Sequence, residues 1–232
     1  MRQKLVLAHR GASNLAHENT LEAFKKAVEI GAEIIELDVR KTLDGVLAVI
    51  HDPDIGGKKI SDTKFEELNK IAASQNFSIP TLEQALIVSG QLLVQIEIKE
   101  LGYELETAAT ALKILPSAQF SIISFNFKSL EKIRAKFPQV TLGLIVGSKP
   151  TPLIRLFIFW LQREKFFKVV DAFSLNWKLL DVNLDRLIPE RFPITVWNLD
   201  EADSIKKFLN HPRVYALGSN KPDLALQIRR TL

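Results

Sequence analysis

The sequence predicts an α/β fold: a (β/α)8 TIM barrel with an extra antiparallel hairpin strand and a small insertion after the second barrel strand. Three observations lead there. Short apolar segments of strand length alternate with helical segments eight times, which implies a parallel sheet with right-handed crossovers that can close on itself. The length, 232 residues, is long for one layered domain and ordinary for one such barrel. A single domain over residues 1–232 is therefore expected, with the insertion at about 53–80. Polar and ionisable residues collect at the ends of the strands and not at their starts, as in barrels whose chemistry sits on the C-terminal face. A doubly wound open sheet is the main rival. It usually opens on a GxGxxG turn, and His9-Arg10-Gly11-Ala12-Ser13 lacks that pattern.

Leu5–Ala8 is a short, wholly apolar strand, suited to burial on both faces. Gly11 and Asn14 mark a loop. Asn19 starts a helix, with Glu22 three residues on as a capping box and Leu21, Phe24, Ala27 and Val28 as the apolar stripe. Gly31 stops it. Glu33–Asp52 reads as two strands turning at Asp44-Gly45, a dipeptide that supplies the φ > 0 positions of a tight hairpin. A polar excursion, Pro53–Ser78, holds Gly56-Gly57 and a modest helix near Asp62–Ala73. Thr81–Val88 is a helix capped by Thr81 and Gln84. Strands are then expected at Leu92–Ile98, Gln119–Ser124, Thr141–Val146, Asp171–Leu175, Ile194–Asn198 and Val214–Gly218. Helices are expected after them at Tyr103–Leu115, Phe127–Phe137, Thr151–Lys168, Asp181–Arg191, Glu201–Asn210 and Pro222–Leu232.

Composition narrows the function. The absence of cysteine excludes disulfides, thiolate metal sites and cysteine nucleophiles. The net charge of +4 is too mild and dispersed to argue for nucleic acid, yet it does not repel anionic substrates or membranes. Only five apolar residues precede His9 and no small-residue cleavage site follows, so no signal peptide is expected. No apolar run approaches the ~18 residues of a membrane span. The expected location is the cytoplasm, with peripheral contact at the membrane.

The candidate chemistry centres on Glu33–Asp52. Residues alternate faces along a strand, so Glu36 and Asp38 share one face while Ile35, Leu37 and Val39 take the other. Folding at Asp44-Gly45 pairs residues whose numbers sum to about 89, which sets His51 opposite Asp38. Glu97 ends another strand, giving three inward carboxylates. Like charges packed this way raise one another's pKa unless a cation fills the gap, and oxygen-only ligation suits one hard divalent ion, Ca2+ or Mg2+. The other outcome is a network in which Lys99 and Arg10 neutralise the acids without metal. His9 and His51 flank the cluster and are suited to general acid and base work, whereas His17 and His211 read as structural. Arg10 and Lys99 supply the fixed positive charge that a phosphoryl transition state calls for. No P-loop or kinase-type glycine loop is present, so hydrolysis of a phosphate ester fits better than nucleotide-driven transfer.

HRGAS followed by ENTLEAF and GAEIIELDVRKTLDGVLAVIHD resembles the glycerophosphodiester phosphodiesterase family. The resemblance continues through IPTLEQAL, QIEIK, Ser124-Phe125, Val196-Trp197-Asn198 and GSNKPD, nearly the whole chain. It implies a metal-dependent (β/α)8 barrel that cuts glycerophosphodiesters to sn-glycerol 3-phosphate and an alcohol. By that similarity His9 and His51 are the acid/base pair and Glu36, Asp38 and Glu97 the metal ligands. Arg10 and Lys99 contact phosphate, Trp197 is an aromatic wall near the substrate, and Pro53–Ser78 caps the barrel. Three departures bear on substrate choice. His17 replaces a usual proline, an Arg-Thr-Thr is missing after His51-Asp52, and Ser219-Asn220 replaces a Thr-Asp.

Thr151–Lys168 is unusually apolar for an outer helix. Leu153, Leu156, Phe157, Trp160 and Leu161 follow i, i+3, i+4, i+7, i+8 spacing and are expected to pack on the sheet. Ile154, Ile158 and Phe159 widen the stripe, and Arg155, Arg163, Lys165 and Lys168 suit anionic headgroups. The segment reads as a buried or oligomer-contact helix, or as a rim element touching membrane or a lysolipid chain. The sequence therefore supports a hydrolase of small-molecule glycerophosphodiesters. Lysophospholipase D chemistry and a non-catalytic binding barrel are the alternatives.

Overall fold

The structure, a computed structural model, describes residues 3–232. In chain order, β1 (Leu5–Ala8) leads through α1 (Leu21–Ile30) to β2 (Ile34–Lys41), which turns back as β3 (Leu47–Val49). A ribbon of β4 (Asp54–Ile55) and β5 (Lys58–Lys59) and then α2 (Phe65–Ser74) form the insertion, and α3 (Leu82–Val88) returns the chain to the barrel. The alternation resumes with β6 (Leu93–Ile98), α4 (Glu104–Ile114), β7 (Phe120–Ser124), α5 (Phe127–Lys136), β8 (Thr141–Val146) and α6 (Pro152–Phe166). It ends with β9 (Ala172–Asn176), β10 (Ile194–Trp197), α7 (Ala202–Leu209), β11 (Val214–Ser219) and α8 (Pro222–Arg230).

Eight of these strands form a parallel ring in the order β1-β11-β10-β9-β8-β7-β6-β2, closed where Leu7 and Ala8 pair with Ile34 and Ile35. The extra strand β3 lies antiparallel outside the ring, on β2. The alternation of β2 divides its side chains as expected. Ile35, Leu37 and Val39 join the main core between strands and helices, while Ile34 joins Leu7 and Ala216 in an apolar plug low in the barrel. The ionisable residues of β2 lie above that plug. The insertion has a small core of its own, in which Ile55, Ile60, Leu68, Ala72 and Ile79 pack on Ala48 of β3.

Six local expectations are corrected. Thr20, not Asn19, caps α1, accepting from Ala23 N at 3.2 Å, and Ala23 rather than Val28 lies on the buried side. Asn19 adopts φ +56° and turns its amide to Asp38. The hairpin has a three-residue loop rather than a turn on Asp44-Gly45 alone. Gly45 N bonds Thr42 O and Thr42 N bonds Val46 O, a loop of Leu43, Asp44 and Gly45 closed by Gly45 at φ +86°. The register is therefore one residue off the expected one: Val39 faces Val49, and Ile50, not His51, lies beside Asp38.

No α-helix follows β9. Residues 177–193 form two 3-10 turns, Trp177–Leu179 and Leu184–Leu187, separated by Asn183 at φ +58°. Pro189 forces Ile188 out of the helical region, to φ −100° and ψ 119°, which ends the second turn. Finally, α6 is rotated from the expected orientation. Leu153, Phe157, Trp160 and Leu161 are exposed, whereas Phe159 and Phe166 are buried. Phe159 and Phe166 are seven residues apart, hence on one face, and Phe159 meets Phe173 of β9 at 5.5 Å in the sector that lacks an outer α-helix. The aromatic packing of that sector sets the rotation.

The turn generates a prediction. A β-branched side chain at the φ of Gly45 costs about 1–3 kcal/mol, so Gly45→Val should lower the urea midpoint clearly while Gly45→Asn stays nearer wild type. Equal midpoints for all three proteins would show that the loop tolerates another geometry.

Candidate active site

Four strand endings contribute the predicted side chains to the C-terminal mouth of the barrel. His9 and Arg10 leave β1, Glu36 and Asp38 belong to β2, Glu97 to β6 with Lys99 just beyond, and Trp197 ends β10. Asp38 pairs in register with Glu97, so the parallel ladder itself sets the two carboxylates side by side. His51 arrives from the segment after β3. His9, Arg10, Glu36, His51, Glu97, Lys99 and Trp197 all line one cavity of about 250 Å³, and Asp38 lies beneath it, 1% exposed. All eight predicted site residues are thus brought together. His17, stacked on Phe77 at 3.8 Å, and His211 are not among the cavity's lining.

Carboxylate oxygens of Glu36, Asp38 and Glu97 lie within 4.8 Å of one another, all buried. Lys99 Nζ bridges two of them, 3.1 Å from Asp38 and 2.7 Å from Glu97. Arg10 divides itself between Asp38, 3.3 Å from Nε, and Glu18, 2.8 Å from Nη1. Glu36 accepts Arg10 N–H at 2.9 Å on Oε2, but its buried Oε1 has no hydrogen-bond partner. The two cations thus do not neutralise the cluster. Burial, with Asp38 and Glu97 beside it, raises the Glu36 pKa well above the carboxylate range, and burial with the Asp38 charge brings Glu97 up to about 7. Burial acts on Asp38 too, but Lys99, Arg10 and the Asn19 amide outweigh it and hold its pKa low. An all-oxygen set with an orphaned carboxylate oxygen fits a hard divalent cation.

The two imidazoles are held differently. Asn220 Nδ2 donates to Asp200 Oδ2 at 2.8 Å, which leaves Asn220 Oδ1 as acceptor for His9 Nδ1, 2.7 Å away. His9 therefore carries its proton on Nδ1 and presents a bare Nε2, 3.8 Å from Glu36. Burial foremost, then the Arg10 charge, lowers its pKa and keeps it neutral. His51 Nδ1 lies 2.7 Å from the Asp52 carboxylate, and Arg40 Nε grips the His51 carbonyl at 2.8 Å while Arg40 also pairs with Glu100. That grip compensates for the shifted register. The last ladder bond runs from Ile50 N to Asp38 O, and beyond it Arg40 rather than strand alternation holds the His51 backbone.

Sequence reasoning missed these supporting residues. Asn19 read as a helix start and Asp200 drew no reading; both hydrogen-bond partners far along the chain, and no local periodicity marks them. Phe125, exposed yet packed edge-on against Trp197 at 6.1 Å, also lines the cavity. Trp197 Nε1 is buried without a partner there.

A closed barrel with a carboxylate cluster, two cations and two oriented imidazoles at its C-terminal mouth defines a barrel protein built to handle an anionic ligand. Residues 9–224 match the glycerophosphoryl diester phosphodiesterase family, and the chain belongs to it. A glycerophosphodiester phosphodiesterase of Caldanaerobacter subterraneus is 40% identical over 161 residues, 61% of this chain and 66% of that one. The matched part thus spans slightly less than two thirds of that relative. Among solved structures, a glycerophosphodiester phosphodiesterase from Parabacteroides distasonis superposes with a TM-score of 0.82 at 22% identity, covering 99% of this chain and 98% of the other. An Oleispira antarctica phosphodiesterase, in complex with the product sn-glycerol-3-phosphate, gives 0.80 at 23% identity over 97% and 96%. These structures share the fold.

The hydrogen-bond chain Asp200–Asn220–His9 is open to a direct check. In 15N NMR of imidazole-labelled protein, His9 should show the Nδ1–H tautomer, and Asp200→Ala should mix the two tautomers by freeing the Asn220 amide to flip. An unchanged spectrum would remove Asp200 from this role.

Proposed function

We propose that this chain, working as a single barrel domain, is a metal-dependent hydrolase of glycerophosphodiesters that releases sn-glycerol 3-phosphate and an alcohol. The observation that carries it is the pair of imidazoles, each with Nδ1 engaged and Nε2 left over, at a cavity floored by three carboxylates. Family membership and the product bound by the Oleispira phosphodiesterase support the same substrate class.

Glu36, Asp38 and Glu97 would hold one divalent cation, Ca2+ or Mg2+, which when bound supplies Lewis-acid polarisation of the phosphate. Arg10 and Lys99 bind the phosphate oxygens and balance the charge that develops on them. His9, neutral and bare at Nε2, takes the proton from the attacking oxygen as it bonds to phosphorus; that oxygen is either water or the adjacent glycerol hydroxyl, whose cyclic phosphate water then opens. His51, whose imidazolium form is matched by Asp52, protonates the departing alkoxide as the phosphorus–oxygen bond to the alcohol breaks. The unpartnered Trp197 N–H donates to a substrate oxygen, and Phe125 braces the indole ring.

A second reading is favoured by one observation: Phe125 and the first turns of α6 leave apolar surface beside the mouth. A substrate retaining one acyl chain would lie there, which makes the reaction a lysophospholipase D step, with peripheral membrane contact through residues 151–168. Parallel rates on glycerophosphocholine and lysophosphatidylcholine separate the two. Absence of turnover on both would leave a non-catalytic binding barrel.

His9→Ala or His51→Ala should each lower turnover by at least ~10²-fold with little change in melting temperature. Chelation should abolish activity reversibly, with Ca2+ and Mg2+ returned separately to identify the better ion; full activity after exhaustive chelation would refute the metal. Binding of the ion must expel protons that the raised pKa values of Glu36 and Glu97 retain, so affinity should rise with pH up to about 7. Calorimetry in two buffers of different ionisation enthalpy should register the released protons.

A further inference from the structure

Five large apolar side chains on α6 stand in solvent: Leu153 is 67% exposed, Phe157 59%, Leu161 60%, Trp160 49% and Ile154 48%. They share one side of the helix because Phe159 and Phe166 take the other. Phe157 and Trp160 stack at 6.2 Å, and the Arg163 guanidinium lies 5.4 Å over the indole. A contiguous apolar surface of this kind marks an interaction site.

Charge identifies the partner. Residues 149–168 contain Lys149, Arg155, Arg163, Lys165 and Lys168 against Glu164 alone. The chain has 31 basic and 27 acidic residues, so outside this segment there are 26 of each and the net charge is zero. The whole excess of +4 is concentrated here, not dispersed. A symmetric dimer through this face would set these cations against themselves. An anionic surface would be attracted.

Position connects the face to the site. α6 starts shortly after the C-terminal end of β8, on the rim that carries the catalytic mouth. Ile145 and Phe125 line both the catalytic cavity and a second one of about 130 Å³ that reaches Arg155 and Ile158. We infer that the exposed face of α6 docks on an anionic lipid surface, with its apolar side chains in the headgroup boundary and its cations among the headgroups. This brings the mouth of the barrel to the membrane. The benefit of docking rests on the activity proposed above, whereas docking itself is read by binding alone.

The test is co-sedimentation of the full chain with vesicles of phosphatidylcholine containing about 30% phosphatidylglycerol, and with phosphatidylcholine alone. Wild type should pellet with the anionic vesicles only, and less at high salt. Phe157→Asp with Trp160→Asp should weaken partitioning at least ~10-fold, and Lys149→Glu with Lys168→Glu should weaken it independently. Ile87→Asp, an equally exposed site on α3, should match wild type. Melting temperature and any turnover of soluble glycerophosphocholine should be unchanged in all three variants. No pelleting of wild type, equal binding to neutral vesicles, or a wild-type dimer that the aromatic double variant splits would each overturn the inference. Binding without turnover would leave it standing and sink the activity instead.

Discussion

Three buried carboxylates converging at one end of the barrel are the constraint around which the rest of the mouth is arranged. Isolated charges in such a place are costly, and two cations alone do not balance this set, because Arg10 is shared with Glu18 and Lys99 spans only Asp38 and Glu97. The protein resolves Asp38 fully, with Lys99, Arg10 and the Asn19 amide, and leaves Glu36 and Glu97 with raised pKa values. Carboxyl groups short of compensating partners, with a bare oxygen on Glu36, form a donor set that a cation would deprotonate on binding.

Below this cluster Leu7, Ile34 and Ala216 form a small apolar group inside the barrel, with Gln95 and Thr195 also facing the interior. On β2 the apolar Ile34 and the acidic Glu36 lie two residues apart on the same face. Strand alternation places Ile34, Glu36 and Asp38 on one inward face, and the parallel register brings Glu97 beside Asp38. The charged layer is thus rigid. The histidines are carried on less regular chain and need their own supports: Asp200 through Asn220 for His9, and Arg40 for His51. Asn220 stands between His9 and Asp200, so the negative charge behind His9 lies one residue further out. His9 is then held by a neutral amide and His51 by a carboxylate, which makes the pair unequal.

The sector after β9 has the opposite character. There the outer α-helix is replaced by short turns, and rings from three segments, α6 with its C-cap, β9 and the segment before β10, fill the space. Phe159, Phe167, Phe173 and Phe192 meet at 5.1–6.4 Å. Such rings are large enough to decide how a helix with apolar residues on every side rotates, and they turn Phe157 and Trp160 outward. An apolar helix face in solvent is a consequence of that local substitution of aromatics for a helix.

The sequence by itself determined the eight-fold alternation, the polarity of the strand ends and the shared face of Glu36 and Asp38. All three follow from periodicity, which is local and needs no partner. The chain placed His9, Arg10, Glu97, Lys99 and Trp197 at strand ends, and the barrel brought them together because parallel strands end on one rim. Tertiary structure alone decided what depends on distant partners. The hairpin register shifted because its loop closes on Gly45 with three residues. His51 still reached the site because Arg40 holds its carbonyl. Asn19 bonds Asp38, nineteen residues away, and Asp200 acts through a neighbour of His9 that lies 211 residues along the chain. The rotation of α6 was decided by rings it meets only in the fold, since a helix apolar on all sides carries no internal signal of which face is inward.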